Sequence, residues 1–126
     1  MSRLGLVTLI VEDYDVAISW FTAALGWVLR EDRDEEHKRW VVVGPAGGGT
    51  GIVLARAASA TQASAIGQQG AGRVWLFLET DDIESDRARM EAAGTVYEEP
   101  TRDEPYGQVA VFCDPWGNRW DLLQRK

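Results

Sequence analysis

Residues 4–26 read LGLVTLIVEDYDVAISWFTAALG, and residues 73–94 read RVWLFLETDDIESDRARMEAAG. The two stretches carry the same signals in the same order. Each opens with an apolar, β-branched run, 4–11 and 74–78, which predicts a buried strand. Each run ends in acidic residues, Glu12-Asp13 and Thr80-Asp81-Asp82. These suit a helix N-terminus by capping and by dipole. In the first helix Val16, Ala17, Trp20, Phe21, Ala24 and Leu25 recur at helical spacing and form one apolar face. In the second, Ile83, Arg87, Met90 and Ala93 trace a weaker stripe on a charged helix. Gly26 and Gly94 then stop the helices by taking the left-handed conformation. At an offset of 67 Val7 meets Val74, Leu9 meets Leu76 and Glu12 meets Glu79, and after a one-residue slip Gly26 meets Gly94.

Three shorter strands are predicted after each helix: 27–30, 39–44 and 51–55, then 96–98, 108–113 and 119–124. Asp114-Pro115-Trp116-Gly117-Asn118 is a strong turn signal, with proline presetting φ and glycine free to take φ > 0. The run GPAGGG at 44–49 holds the matching place in the first half. No Lys-Ser/Thr follows it and no helix opens there, so a hairpin loop is expected rather than a phosphate cradle. Residues 57–72, AASATQASAIGQQGAG, read as a linker with a short helical turn. The expected fold class is α+β: a single domain over 1–126, with βαβββ modules at 4–56 and 73–124.

Composition narrows the chemistry. The 126 residues are 45% hydrophobic and 26% charged, a profile that folds. The formal net charge is −7, which argues against nucleic acid, since that partner needs a basic face. One cysteine, Cys113, excludes an intramolecular disulfide and any CxxC site. One histidine, His37, excludes a two-histidine metal site within the chain. No apolar run is long enough to span a membrane. The free cysteine and the lack of a signal-type opening predict a cytoplasmic location. Six tryptophans are a heavy load for this length, and tryptophan often lines apolar pockets and interfaces.

With this layout, VED at 11–13, WFTAALGW at 20–27 and YGQVAVFCDPWGNRWDLL at 106–123 resemble the vicinal oxygen chelate superfamily. That group includes glyoxalase I, bleomycin-resistance proteins and extradiol dioxygenases. The resemblance covers nearly the whole chain. It implies two modules whose cupped mixed β-sheets face a central cavity, which in members of this size usually combines modules of two subunits. A homodimer is therefore expected. It also implies four metal-ligand places, on the opening and closing strands of each module. Carried over by motif position, with a one-residue tolerance at the second, these are Leu6, Leu54, Arg73 and Asp121. Leucine cannot bind a metal and arginine repels one, so no cofactor is expected. A divalent ion held by an unusual set such as Asp121 with His37 is the alternative.

In place of a metal, an Arg73–Asp121 pair and a Leu6–Leu54 apolar patch are expected on the cavity floor. Strand alternation would put Arg73, Trp75 and Phe77 on one face, and Leu6 and Thr8 on one face of the other module. Trp40 has no fixed register, and Tyr106 precedes a late strand where the resemblance implies access to the cavity. The candidate ligand-binding residues are thus Leu6, Thr8, Trp40, Leu54, Arg73, Trp75, Phe77, Tyr106 and Asp121. Trp20 and Phe21 are expected in the core, Trp116 in a turn, Trp120 facing the helix layer, His37 on a charged surface hairpin and Cys113 as an inert buried thiol. The first expected function is binding of a small organic molecule in an aromatic-lined cavity. The alternatives are a lyase, isomerase or dioxygenase with a non-standard metal set or metal-free acid–base chemistry, and an interaction module without a ligand.

Overall fold

The computed structural model describes all residues, 1–126. The chain divides into two compact units, Met1–Ala65 and Ile66–Lys126. The first contains β1 (Leu6–Val11), α1 (Tyr14–Ala24), β2 (Val28–Glu35), β3 (Lys38–Gly44), β4 (Gly51–Arg56) and α2 (Ala60–Ala65). Its strands run in the order β1-β4-β3-β2, with β1 parallel to β4 and the other pairs antiparallel. The Asp13 carboxylate accepts from the Val16 backbone N–H at 3.0 Å and opens α1, and Gly26 closes it at φ 66°. The helix lies against β2, β3 and β4. Ala17, Phe21 and Ala24 on the helix, with Leu9, Val11, Val41, Val43 and Leu54 on the strands, are fully or almost fully buried. Each of the large side chains contributes roughly 1.5–3 kcal/mol by leaving water. Trp20 meets Phe21 edge-on, and Phe21 stacks on Trp27.

The second unit contains β5 (Val74–Glu79), α3 (Ile83–Ala92), β6 (Val96–Tyr97), β7 (Arg102–Glu104), β8 (Gly107–Cys113) and β9 (Arg119–Arg125). The order is β5-β9-β8-β6, with β7 also paired to β8. Asp82 caps α3 by accepting from the Ser85 N–H at 3.1 Å, and Gly94 follows it at φ 93°. Ile83 and Met90 on α3 are buried, as are Ala110, Phe112, Trp120 and Leu122 on β8 and β9. Arg87, on the expected apolar stripe, lays its guanidinium over the Tyr97 ring at 4.2 Å. That contact lets a charged residue serve a packing face, and it explains why the stripe reads weakly.

The α+β architecture agrees with the sequence, and so does the βαβββ order, to which β7 adds a fourth strand after α3 in the second unit. Several local expectations do not. Val16 is 59% exposed, because it sits in the first turn of α1, at the margin of the stripe centred on Ala17, Trp20, Phe21 and Ala24. Strand β2 runs on through charged residues to Glu35, drawn out by pairing with β3 in a tight hairpin. Strand β7 is short, charged and at an edge, and its sequence carries no apolar alternation to betray it. The repeat offset of 67 is also wrong for the opening strands. The helix caps Asp13 and Asp82 are 69 residues apart, and Leu9–Leu54 and Leu78–Leu122 are corresponding cross-strand leucine pairs. Thr8 therefore matches Phe77, and Val53 matches Asp121.

The β8–β9 turn is built around one carboxylate. Asp114 Oδ1 accepts from the backbone N–H groups of Trp116, Gly117 and Asn118, at 3.1, 3.0 and 2.9 Å. Its Oδ2 accepts from Asn118 Nδ2 and Trp120 Nε1, both at 3.0 Å. Asp114 is 4% exposed, so these five bonds stand in for the water it has lost. They fix Trp120 in the layer that faces α3.

Candidate functional site

Each sheet has one face packed under its helix and one turned away from it. In the second unit the register groups the side chains of the helix-free face in rows. Val74 pairs with Arg119 and Arg119 with Cys113, and Phe77 pairs with Asp121 and Asp121 with Val111. Phe77 is 64% exposed, a large apolar ring presented to solvent. A cavity of about 360 Å³ is lined by Gly72, Arg73, Val74, Phe77 and Arg119.

Charge on this face is mostly paired. Arg119 donates to both Glu98 carboxylate oxygens, at 2.7 and 2.9 Å, and to the Gly72 carbonyl at 2.9 Å. This guanidinium holds the Glu98 carboxyl below the usual carboxylate range. Arg102 bonds Glu99 and Glu104. Asp121 differs from these pairs. Its Oδ1 is buried and has no hydrogen-bond partner. Burial pushes its carboxyl above the usual range, against the pull of Arg102 and Arg119.

The expected Arg73–Asp121 pair does not form. The cross-strand neighbour of Asp121 is Phe77, and Arg73 stands before β5, beyond the Val74–Arg119 row. Nor do Arg73, Trp75 and Phe77 share a face. A bulge between Val74 and Leu76 inserts Trp75 as an extra residue and breaks the alternation. The Trp75 ring meets Trp120 edge-on at 6.4 Å, on the side opposite Phe77. Arg73 and Phe77 still line one cavity, and Trp75 is not among its walls.

In the first unit Leu6 pairs with Gly51, and Leu54 with Leu9. Leu9 stands three positions after Leu6, an odd step along the strand, so Leu6 and the Leu9–Leu54 pair point to opposite faces. Leu54 is 1% exposed in the core under α1, and Leu6 is 41% exposed on the helix-free face. They form no common patch. The one-residue tolerance at this strand resolves to Val53, which pairs with Thr8 on the face of Leu6. Trp40 shares that face by parity with Val42, its ring lies under the Arg33 guanidinium at 5.9 Å, and its Nε1 is buried without a partner.

Tyr106 lies in the turn between β7 and β8 and is exposed. The ladder from Gly107 to Val111, opposite Asp121, puts it roughly 13 Å or more from that carboxylate. His37 is exposed at the tip of the β2–β3 hairpin, as a charged surface hairpin requires. It borders an open cleft of about 800 Å³ with Glu12, Tyr14, Lys38 and Arg56. Within that cleft Arg39 is committed to Asp15 and Asp32, and its ring partner is Tyr14. Cys113 is partly buried, and burial raises its thiol further from the thiolate form.

The four positions do not fit a metal ion. Leu6 and Leu54 offer no donor and face opposite ways, Arg73 is cationic, and Asp121 alone can ligate. No three histidine, cysteine, aspartate or glutamate side chains converge to hold a metal anywhere in the chain. Sequence reasoning missed Arg119, Glu98 and Arg30 as polar residues of the helix-free faces. Alternation from Asp121 reveals Arg119, but Arg30 is placed by a bulge between Leu29 and Glu31 that no periodicity shows.

A model of the Glyoxalase/Bleomycin resistance protein/Dioxygenase superfamily matches residues 3–122. An uncharacterized protein of Shewanella frigidimarina is 47% identical over 121 residues, covering 94% of this chain and 90% of that one. Among solved structures, TnmS3, an antibiotic binding protein from Streptomyces sp. CB03234, is 31% identical with a TM-score of 0.79, over 100% of this chain and 98% of that one. A glyoxalase/bleomycin resistance protein from the same organism is also 31% identical, with a TM-score of 0.74, over 97% and 100%.

Proposed function

The chain belongs to the glyoxalase/bleomycin resistance protein/dioxygenase superfamily, and we propose that it binds a small organic molecule against the helix-free faces of its sheets, as a homodimer and without a metal ion. The observation that carries this reading is the second unit's Arg73–Phe77 cavity: an exposed ring and a guanidinium share its wall, and the cross-strand neighbour of that ring is Asp121, whose buried Oδ1 has no partner. Burial of apolar ligand surface on Phe77 supplies affinity, and Arg73 and Asp121 supply orientation. The whole-chain similarity to an antibiotic binding protein supports the same reading.

Titration of intrinsic tryptophan fluorescence against a panel of apolar and amphiphilic compounds tests it. Saturable quenching is expected with at least one compound, weakened about tenfold by Phe77→Ala. Silence across the panel refutes it. Light scattering should give the mass of two chains. Elemental analysis after chelator-free purification should find less than one divalent ion per chain.

A second reading rests on Asp121 alone. A carboxyl with a raised pKa and an unbonded oxygen next to a cavity suits a general acid. Turnover of any bound compound, abolished by Asp121→Asn, would favour it over simple binding.

A further inference from the structure

We propose that Arg30 is an anion anchor on the first unit's helix-free face, and that the bound molecule carries a carboxylate, sulfonate or comparable anionic group on an apolar body. This deepens the reading that those faces take a small organic molecule, and rests on it.

The bulge between Leu29 and Glu31 leaves Arg30 as the unpaired residue of β2. Its side chain crosses the sheet. A Cβ on Gly44 would overlap the guanidinium carbon, and one on Gly51 would come 2.9 Å from Nη1 and 3.4 Å from Leu6 Cδ2. The guanidinium thus rests on two glycines, on the side of Leu6 and away from the core leucines Leu9 and Leu54. Nη1 donates to the Gly49 carbonyl and Nη2 to the Pro45 carbonyl, both at 2.8 Å. These neutral acceptors fix the plane of the group and leave its charge uncompensated.

No carboxylate forms an ion pair with Arg30. Glu31, its neighbour in sequence, is taken by Arg33 at 2.7 Å. In a chain of net charge −7, a half-buried arginine without a counterion is a notable exception. Thr8, Ile10, Val53 and Ala55, the other β1 and β4 residues on this face, carry no charge. A guanidinium has five N–H donors in a planar fork. Two are held by the loop carbonyls, so the remainder can meet an anion with little ordering cost, because the fork is already oriented.

A matched probe pair tests this: 1-anilinonaphthalene-8-sulfonate and N-phenyl-1-naphthylamine, which differ by the sulfonate. Affinities are read from probe fluorescence with wild type, Arg30→Gln and Gly44→Ala. The last variant keeps the charge but moves the guanidinium, whose flexible end gives way to the new methyl group. Both substitutions should weaken the sulfonate probe about tenfold and leave the neutral probe within about twofold. Equal affinities for the sulfonate in all three proteins would overturn the anchor, as would equal losses for both probes. Should Arg30→Gln unfold, as circular dichroism would show, Gly44→Ala decides by the same criteria. If neither probe binds wild type, the anchor for an anionic group on an apolar body falls, and the small-molecule reading stands or falls by the compound panel. If only the charge discrimination is missing, the anchor falls alone.

Discussion

Replacing Asp114 with asparagine changes one oxygen to an NH2 group, and the structure allows that change no comfortable outcome. In one orientation the amide oxygen keeps the three backbone N–H groups of the β8–β9 turn. The new NH2 then faces Asn118 Nδ2 and Trp120 Nε1, two buried donors at 3.0 Å that lose their acceptor. In the flipped orientation the NH2 faces three backbone donors at 2.9–3.1 Å. The first orientation costs less. An orphaned buried donor costs about 1–3 kcal/mol, so Asp114→Asn should lose about 3 kcal/mol of stability. For a chain of this size that is a fall in Tm of roughly 10 °C. Urea unfolding at neutral pH, followed by near-ultraviolet circular dichroism, measures the loss and reports Trp120 directly. A loss below about 1 kcal/mol, with the tryptophan signal unchanged, would show that the carboxylate is not what holds the turn.

Three further outcomes follow from packing and charge. Gly67 has φ 75°, and a Cβ there would overlap the Trp116 carbonyl oxygen, so Gly67→Ala should cost more than about 3 kcal/mol in a urea melt. Phe112→Ala should lose about 3–5 kcal/mol, whereas Phe77→Ala should stay within about 0.5 kcal/mol of wild type, because Phe112 is fully buried and Phe77 is exposed. Asp121 has a raised folded-state pKa, so its contribution to stability is present below the usual aspartate range and is lost as pH rises through the raised value. Asp121→Asn, neutral at every pH, should match wild type in acid and melt higher above neutrality; a variant that melts lower at pH 8 would contradict the assigned burial cost.

The elements were legible because their causes are local. Asp13 and Asp82 cap, Gly26 and Gly94 stop, and the apolar runs pair as strands, all within windows of a few residues. The turn at Asp114 was legible for the same reason. The site was harder, because it depends on which face each residue takes. Strict alternation carried Trp75 to the same side as Phe77, and one inserted residue at the bulge sent it to Trp120. The same assumption made Leu54 a floor residue, although its pairing with Leu9 buries it under α1. Bulges are set by cross-strand hydrogen bonding over long sequence separations, and a single strand carries little trace of them. Arg30 shows the converse case. The residues that seat it, Gly44 and Gly51, look like ordinary ends of a glycine loop until the sheet brings them side by side.

The bulge at Trp75 also bears on how this chain can change over generations. A one-residue insertion or deletion in a regular strand turns over every side chain on one side of it, which is fatal where one face is core. The irregularity in β5 already absorbs such a step, so residues 71–75 can vary in length while Phe77, Leu78 and Leu122 keep their places. The cavity wall around Arg73 is thereby open to rapid remodelling, and the hydrophobic layer beneath stays under strict constraint. New binding preferences can arise in this scaffold by small shifts in length as readily as by exchange of residues.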